Sequence, residues 1–148
     1  MNLSDRLNED LKQAQLNREE LKVGVLRMLI SEVRYAQIAK NSALTEADYL
    51  AVVQKELKKR KEASESFSNA GRAEQAGKED AEAEILMTYL PAQLSDEELT
   101  QLVSETIKEV GVNSVQDMGR VIGVVMSKVQ GQADGGRVSS VVKELLSQ

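Results

Sequence analysis

No cysteine, no histidine and no tryptophan occur among the 148 residues. Without cysteine there is no disulfide, no thiol nucleophile and no thiolate metal site. Without histidine the commonest general base and the commonest metal ligand are both missing. Aspartate and glutamate remain as side-chain acids, bases or ligands for hard cations. Aromatics are scarce as well, with three Tyr and one Phe, so base stacking is not the main way this chain would hold a nucleic acid. No run approaches the roughly 20 apolar residues that span a bilayer. Residues 1–17 are charged and amphipathic, without the apolar segment of a secretory leader. These absences set the expectation of a cytoplasmic chain with no membrane, metal or cofactor as partner.

Proline occurs once, at Pro91. Its ring removes an amide donor and biases the preceding residue out of helical geometry, so a helix should end near Leu90. Four residues on, Ser95 precedes Glu98 at the spacing of a capping box, and a new helix should start there. The segment Ile85–Leu99 therefore reads as a hinge. It divides an N-terminal helical domain, residues 1–91, from a small C-terminal three-helix domain, residues 92–148.

What is abundant is helix-forming: Ala, Glu, Lys, Leu and Gln dominate, and no convincing alternating run suggests a strand. The expected fold is all-α. Leu3, Leu7, Leu11 and Ala14 mark one face of a first helix, about residues 4–15. Asn17, with Glu20 three later, offers a cap for a second, about residues 18–40. That helix carries Leu21, Val23, Val25, Leu26, Met28, Leu29, Ile30 and Val33, apolar on most sides, which predicts a central position. The exception is a narrow strip, Gly24, Arg27, Ser31 and Arg34. Thr45 and Asp48 cap a third helix whose stripe runs Tyr49, Val52, Val53, Leu57, Arg60, Ser64 and Phe67. Arg60 stands where an apolar residue is due, so it should be paired or placed at an opening.

Residues 68–77 are small and polar, and either a break near Gly71 or a long continuation fits them. Glu79, Asp80, Glu82 and Glu84 make the next helix acidic, a natural neighbour for Lys55, Lys58, Lys59 and Lys61. Past the hinge, the expected helices bury Leu99, Leu102, Val103, Ile107 and Val110; then Met118, Val121, Ile122, Val125, Met126 and Val129; then Val138, Val141, Val142, Leu145 and Leu146. Gly111 stands at a C-cap position, and Ser114 and Asp117 offer a cap for the middle helix. Asp134-Gly135-Gly136 reads as a turn and cap.

Net charge is −5, and neither part is basic: residues 1–91 hold 14 Lys+Arg against 16 Asp+Glu, leaving 5 against 8 for residues 92–148. This is not the footprint of a strong nonspecific nucleic-acid binder. No Gly-rich phosphate loop followed by Lys-Ser/Thr is present. The parts for independent amide transfer or nucleotide chemistry are lacking, so no catalytic residue is assigned.

The motifs Tyr89-Leu90-Pro91 with Ser95, Asp117-Met118-Gly119-Arg120 with Gly123, and Gly131 with Asp134-Gly135 together resemble the YqeY-like proteins. Leu26-Arg27, Lys55 through Ser64, and Gly71-Arg72 fit the same family, in order along essentially the whole chain. The resemblance implies similarity to the C-terminal tail of the B subunit of tRNA-dependent amidotransferase, a tRNA-contacting appendage. On that basis the expected role is a non-catalytic, tRNA-associated helical module auxiliary to Glu/Gln or Asp/Asn aminoacyl-tRNA metabolism. Its expected partners are tRNA and an enzyme of that metabolism. A protein-interaction adaptor without RNA contact is the alternative. A carbon–nitrogen ligase activity with glutamine as amido donor would follow only from similarity.

The candidate RNA-binding residues are Arg120, Lys128, Arg137 and Lys143, with Gly119 and Gly123 permitting close approach to a sugar-phosphate backbone. The glycines also suit tight helix packing, the first expectation for them. Secondary candidates are Arg27, Arg34, Lys55, Lys59, Arg60 and Arg72. For the four arginines, internal pairing with Glu32, Glu56, Glu79 or Glu84 is the first expectation, and phosphate recognition the second. The lysine run reads first as a solvated helix face.

Overall fold

A computed structural model describes residues 2–112 and 114–148. Among them are seven α-helices, one short 3-10 turn and no strand. The contacts cluster into two compact units, residues 1–90 and residues 91–148.

In the first unit, α1 (Leu3–Leu16), α2 (Glu20–Lys40), α3 (Glu46–Asn69) and α4 (Ala73–Met87) enclose one core. Leu7 and Ala14 of α1 meet Val25, Leu26, Leu29 and Val33 of α2, with Tyr49, Val53 and Leu57 of α3 and Ala83, Leu86 and Tyr89 completing it. α1 starts on Asn2, whose side chain accepts from the Asp5 amide. Asn17 does not cap α2. It closes α1, and Arg18 follows with φ +57 while the Glu19 amide returns to Ala14 O at 3.0 Å. This is a Schellman turn, with an arginine in the left-handed position that usually falls to glycine. Gly71 fills the same position after α3, with φ +74 and the Arg72 amide on Phe67 O at 2.8 Å. The chain therefore breaks at Gly71 and does not run on as one helix.

α3 begins at the capping box of Thr45 and Asp48. Asp48 also receives Lys40 Nζ at 2.6 Å. That ion pair, with the Thr45 donors, holds its carboxyl down at about 2.

α2 departs from its predicted central position. It buries Val25, Leu26, Leu29 and Val33, but Leu21, Tyr35 and Ile38 stand exposed. One side of the helix is covered by the core and the opposite side is not.

In the second unit, α5 (Asp96–Val110), α6 (Met118–Val129) and α7 (Gly135–Leu146) pack around Leu99, Val103, Val121, Val125, Val129, Ala133, Val138, Val142 and Leu146. α5 opens on the Ser95/Glu98 capping box and closes at Gly111, φ +77. Ser114 caps a 3-10 turn, Val115–Asp117, and not α6 itself; Asp117 makes no side-chain cap bond. Asp134 caps α7 by accepting from the Arg137 amide at 2.8 Å. The segment after Pro91 is tied to the α6–α7 turn. The Leu94 amide donates to Gln132 O at 2.8 Å, and Gln93 Nε2 donates to Gly131 O at 2.9 Å.

Candidate functional site

The cations of the second unit divide into two kinds. Lys128, on the last turn of α6, pairs with Glu109 of α5 and donates to Thr106 Oγ1 at 3.2 Å. Thr106 is fully buried and donates in turn to Leu102 O at 2.8 Å, so Lys128 satisfies a polar group inside the helix packing. Arg137 donates from Nη2 to Leu94 O at 2.8 Å and to Asp96 Oδ1 at 3.0 Å. It clamps the post-proline segment to the start of α7. Both residues are thus structural ties in this unit.

Arg120 and Lys143 are exposed, and their side chains make no ion pair or hydrogen bond among the described residues. Gly119 and Gly123 share the exposed side of α6 with Arg120 and Ser127, opposite Val121, Val125 and Val129. A Cβ added at either glycine would meet nothing within 4 Å. Tight packing within the unit is therefore not what these glycines serve. They leave a low, open strip of backbone beside an unpaired guanidinium.

In the first unit, Arg60 is the one candidate arginine that is internally paired. Its guanidinium lies 3.2 Å from Glu82, 3.5 Å from Glu79 and 3.8 Å from Glu56. Glu56 is almost fully buried and also receives Lys59 at 3.0 Å. Ser64 donates to Asp80 at 2.5 Å one turn away. The predicted pairing of α3 lysines with an acidic α4 thus centres on Arg60, with Lys59 drawn in through Glu56 on its own helix.

Burial raises the Glu79 carboxyl above the usual glutamate value, the charge of Glu82 adds to this, and Arg60 opposes it. Among the described residues no group of three or more acids is arranged to hold a metal ion; these carboxylates surround an arginine instead. Glu56 and Glu79 are partners expected from the sequence; Glu82, the nearest of the three, was not among them, and Glu84 does not pair with Arg60. Glu56 was legible through its i,i+4 spacing to Arg60.

Arg27, Arg34 and Arg72 are exposed and, contrary to the expectation of internal pairing, have no carboxylate partner among the described residues. Lys55 and Lys61 are likewise exposed, and Lys58 reaches only Glu62, at 3.9 Å.

A cleft of about 470 Å³ opens beside Arg6, Leu44, Tyr49 and Tyr89. Two of its polar side chains, Arg6 and Tyr89, are already engaged. The Arg6 guanidinium sits 4.6 Å from the centre of the Tyr89 ring and donates to Thr88 O at 3.1 Å. Tyr89 donates to Asp10 at 2.6 Å, and burial together with that carboxylate pushes the phenol far above its ordinary range.

These features define an all-α protein with its buried charges tied into helix contacts and several arginines left free at the surface. A family model described as Yqey-like protein matches residues 4–146, and the chain belongs to that family. An uncharacterized protein of Schizosaccharomyces pombe is 32% identical over 95 residues, 64% of this chain and 77% of its own. In Pyrenophora tritici-repentis, a protein named altered inheritance of mitochondria protein 41, mitochondrial, is 29% identical over 147 residues, 95% of this chain and 79% of its own. A protein of the same name in Clavispora lusitaniae is 26% identical over 149 residues, 97% of this chain and 85% of its own. None of the described helices is long and apolar enough to cross a membrane.

Proposed function

We propose that this chain is a non-catalytic, tRNA-associated module, auxiliary to the enzymes that make or correct aminoacyl-tRNA. One observation carries the reading: α6 leaves Gly119 and Gly123 open to solvent next to an unpaired Arg120. A phosphodiester strand approaches such a backbone more closely than a helix covered by long side chains, and a guanidinium beside it supplies a forked donor for phosphate. Lys143 of α7 is a second unengaged cation of the same unit. The net charge of −5 argues against coating RNA nonspecifically and favours contact at a few positions on a folded RNA, read by shape. The chain has no cysteine or histidine for glutamine hydrolysis, which supports a helper's role over that of a ligase. Aminoacyl-tRNA pools exist in cytoplasm and in mitochondria. The mitochondrial names of two relatives and a cytoplasmic location for this chain are both compatible with the role.

The test is a titration with deacylated tRNA at low and at physiological salt. Arg120→Ala with Lys143→Ala should lose binding that the wild type retains at physiological salt, and the slope against salt should shrink by about two charges. Lys128→Ala is the control for a merely destabilised unit: it should lower thermal stability while leaving RNA affinity within a factor of about two. Wild-type binding no tighter than about 100 μM at physiological salt would reject the reading.

A further inference from the structure

The uncovered side of α2 has a regular pattern. Leu21, Gly24, Met28, Ser31, Tyr35 and Ile38 follow one another at alternating spacings of three and four. This is the a/d seam of a coiled coil, and it runs for about 26 Å at 1.5 Å per residue. It is a second stripe beside the one that builds the core with Val25, Leu26, Leu29 and Val33, and Met28 alone of its residues packs partly on that core. Tyr35 is 66% exposed and Ile38 75%, Leu21, Gly24 and Ser31 are exposed too, and only Met28 is half-buried. Four of the six exposed large hydrophobics in the described chain, Leu16, Leu21, Tyr35 and Ile38, lie on α2 or at the α1 end that leads into it. Arg27 and Arg34 flank the seam at the g positions, seven residues apart, both exposed and unpaired.

We infer that α2 carries a docking surface for an acidic amphipathic helix of another protein. That helix lays large apolar side chains over Gly24 and Ser31 and sets carboxylates against Arg27 and Arg34. The small residues argue for a partner of different sequence. The position of a Gly24 Cβ has nothing within 4 Å, so an incoming leucine can seat there between the larger Leu21 and Met28. A second copy of this chain packed in parallel would set Gly24 against Gly24 and Ser31 against Ser31, leaving those layers unfilled; packed antiparallel it would set Gly24 against Tyr35 and Ser31 against Met28, and there the charges decide. In a parallel pair Arg27 would find Glu32 of the copy, but Arg34 would face Ala39; an antiparallel pair would bring arginine against arginine. A helix acidic at both flanking positions satisfies both arginines. Two charges on one edge also fix its direction and register.

The probe is a labelled three-heptad peptide with Leu at a and d and Glu at e and g, titrated against the full chain by fluorescence anisotropy. A second peptide has Lys in place of every Glu. The Glu peptide should bind in the micromolar range and the Lys peptide about tenfold weaker or less. Arg27→Glu with Arg34→Glu should invert that order. Tyr35→Asp with Ile38→Asp should remove binding of both, with an unchanged helical spectrum because the positions are exposed.

Equal affinity for the two peptides, or no binding of either, overturns the inference. Sedimentation of the wild type as a dimer that Arg27→Glu with Arg34→Glu dissolves gives the face to a second copy and also overturns it. Loss of tRNA binding in that variant, with Arg120→Ala and Lys143→Ala still binding, gives the face to RNA. That outcome rejects this inference and the α6 site together, whereas failure of the peptides alone leaves the tRNA reading standing.

Discussion

Arg60 has three carboxylates around it and is itself mostly buried, so each substitution in the cluster leaves a different remainder. Removing the arginine leaves Glu56, Glu79 and Glu82 together with Lys59 paired to Glu56 and Lys78 acting on Glu79 without an ion pair. Arg60→Ala should therefore cost about 2–3 kcal/mol, below the full value for a buried pair because the side chain keeps some solvent. A urea midpoint shift at unchanged slope measures it. Glu79→Gln should do the opposite. Its carboxyl is raised in the folded chain by burial first and by Glu82 second, so the folded state holds that proton to higher pH than the unfolded state does. Between the ordinary glutamate value and the raised one, stability then falls as pH rises. The amide removes that loss, so Glu79→Gln should be more stable than wild type at pH 7 and show a flatter profile through the mildly acidic range. A variant less stable at pH 7 would show that the Glu79 charge is needed by Arg60.

Helix ends and helix faces differ in how much of them the sequence reveals. Thr45/Asp48, Ser95/Glu98 and Asp134 were legible because an N-cap needs a short polar side chain at a fixed distance before an apolar run. Asn17 was misread because the same residue type also ends helices, and the turn that follows is completed by Arg18, which carries no mark of the left-handed region. The Gly71 break belongs to the same kind of turn and is written openly by its glycine.

The faces of α2 were harder. Hydrophobicity on most sides suggested full enclosure, but composition does not say which apolar residues the chain itself covers. Only the packing of α1, α3 and α4 on Val25, Leu26, Leu29 and Val33 separates the core stripe from the outer one. Likewise Arg120, Lys128, Arg137 and Lys143 are candidates of equal rank in the sequence, and the partners Glu109, Leu94 O and Asp96 separate Lys128 and Arg137 from Arg120 and Lys143. At this scale the N-cap of α7 offers a clean test. Asp134→Ala should cost about 1 kcal/mol, read as a lower melting point by far-UV circular dichroism. The tyrosine signal should be unaffected, since every tyrosine precedes residue 90.

That distribution of aromatics makes the whole chain informative as well. Tyr35, Tyr49, Phe67 and Tyr89 all fall in residues 1–90, and residues 91–148 have none. Near-ultraviolet signals therefore follow the first unit alone, while far-ultraviolet signals follow both. The second unit is small and its core is made mostly of valines, which bury less area than leucines. We expect two transitions on heating, the far-ultraviolet one beginning at lower temperature than the tyrosine one. Fragment 91–148 should be helical by itself but melt below fragment 1–90. Coincident transitions in the intact chain would mean that the two units unfold as one.

The ties between the two ends of the first unit also bear on when it can be finished. Tyr89 reaches back to Asp10, and Arg6 reaches forward to Thr88 O, contacts that span 79 and 82 residues. During synthesis α1 and α2 emerge early and can pair locally, but Leu7 and Ala14 stay without their full cover until the last turn of α4 leaves the ribosome. At about 5–20 residues per second, the stretch from Arg6 to Thr88, 82 residues on, takes roughly 4 to 16 seconds to synthesise. For that interval the nascent chain displays its own unfinished core, together with the outer stripe of α2. Any factor that greets apolar helices on the ribosome meets this protein before its fold is closed.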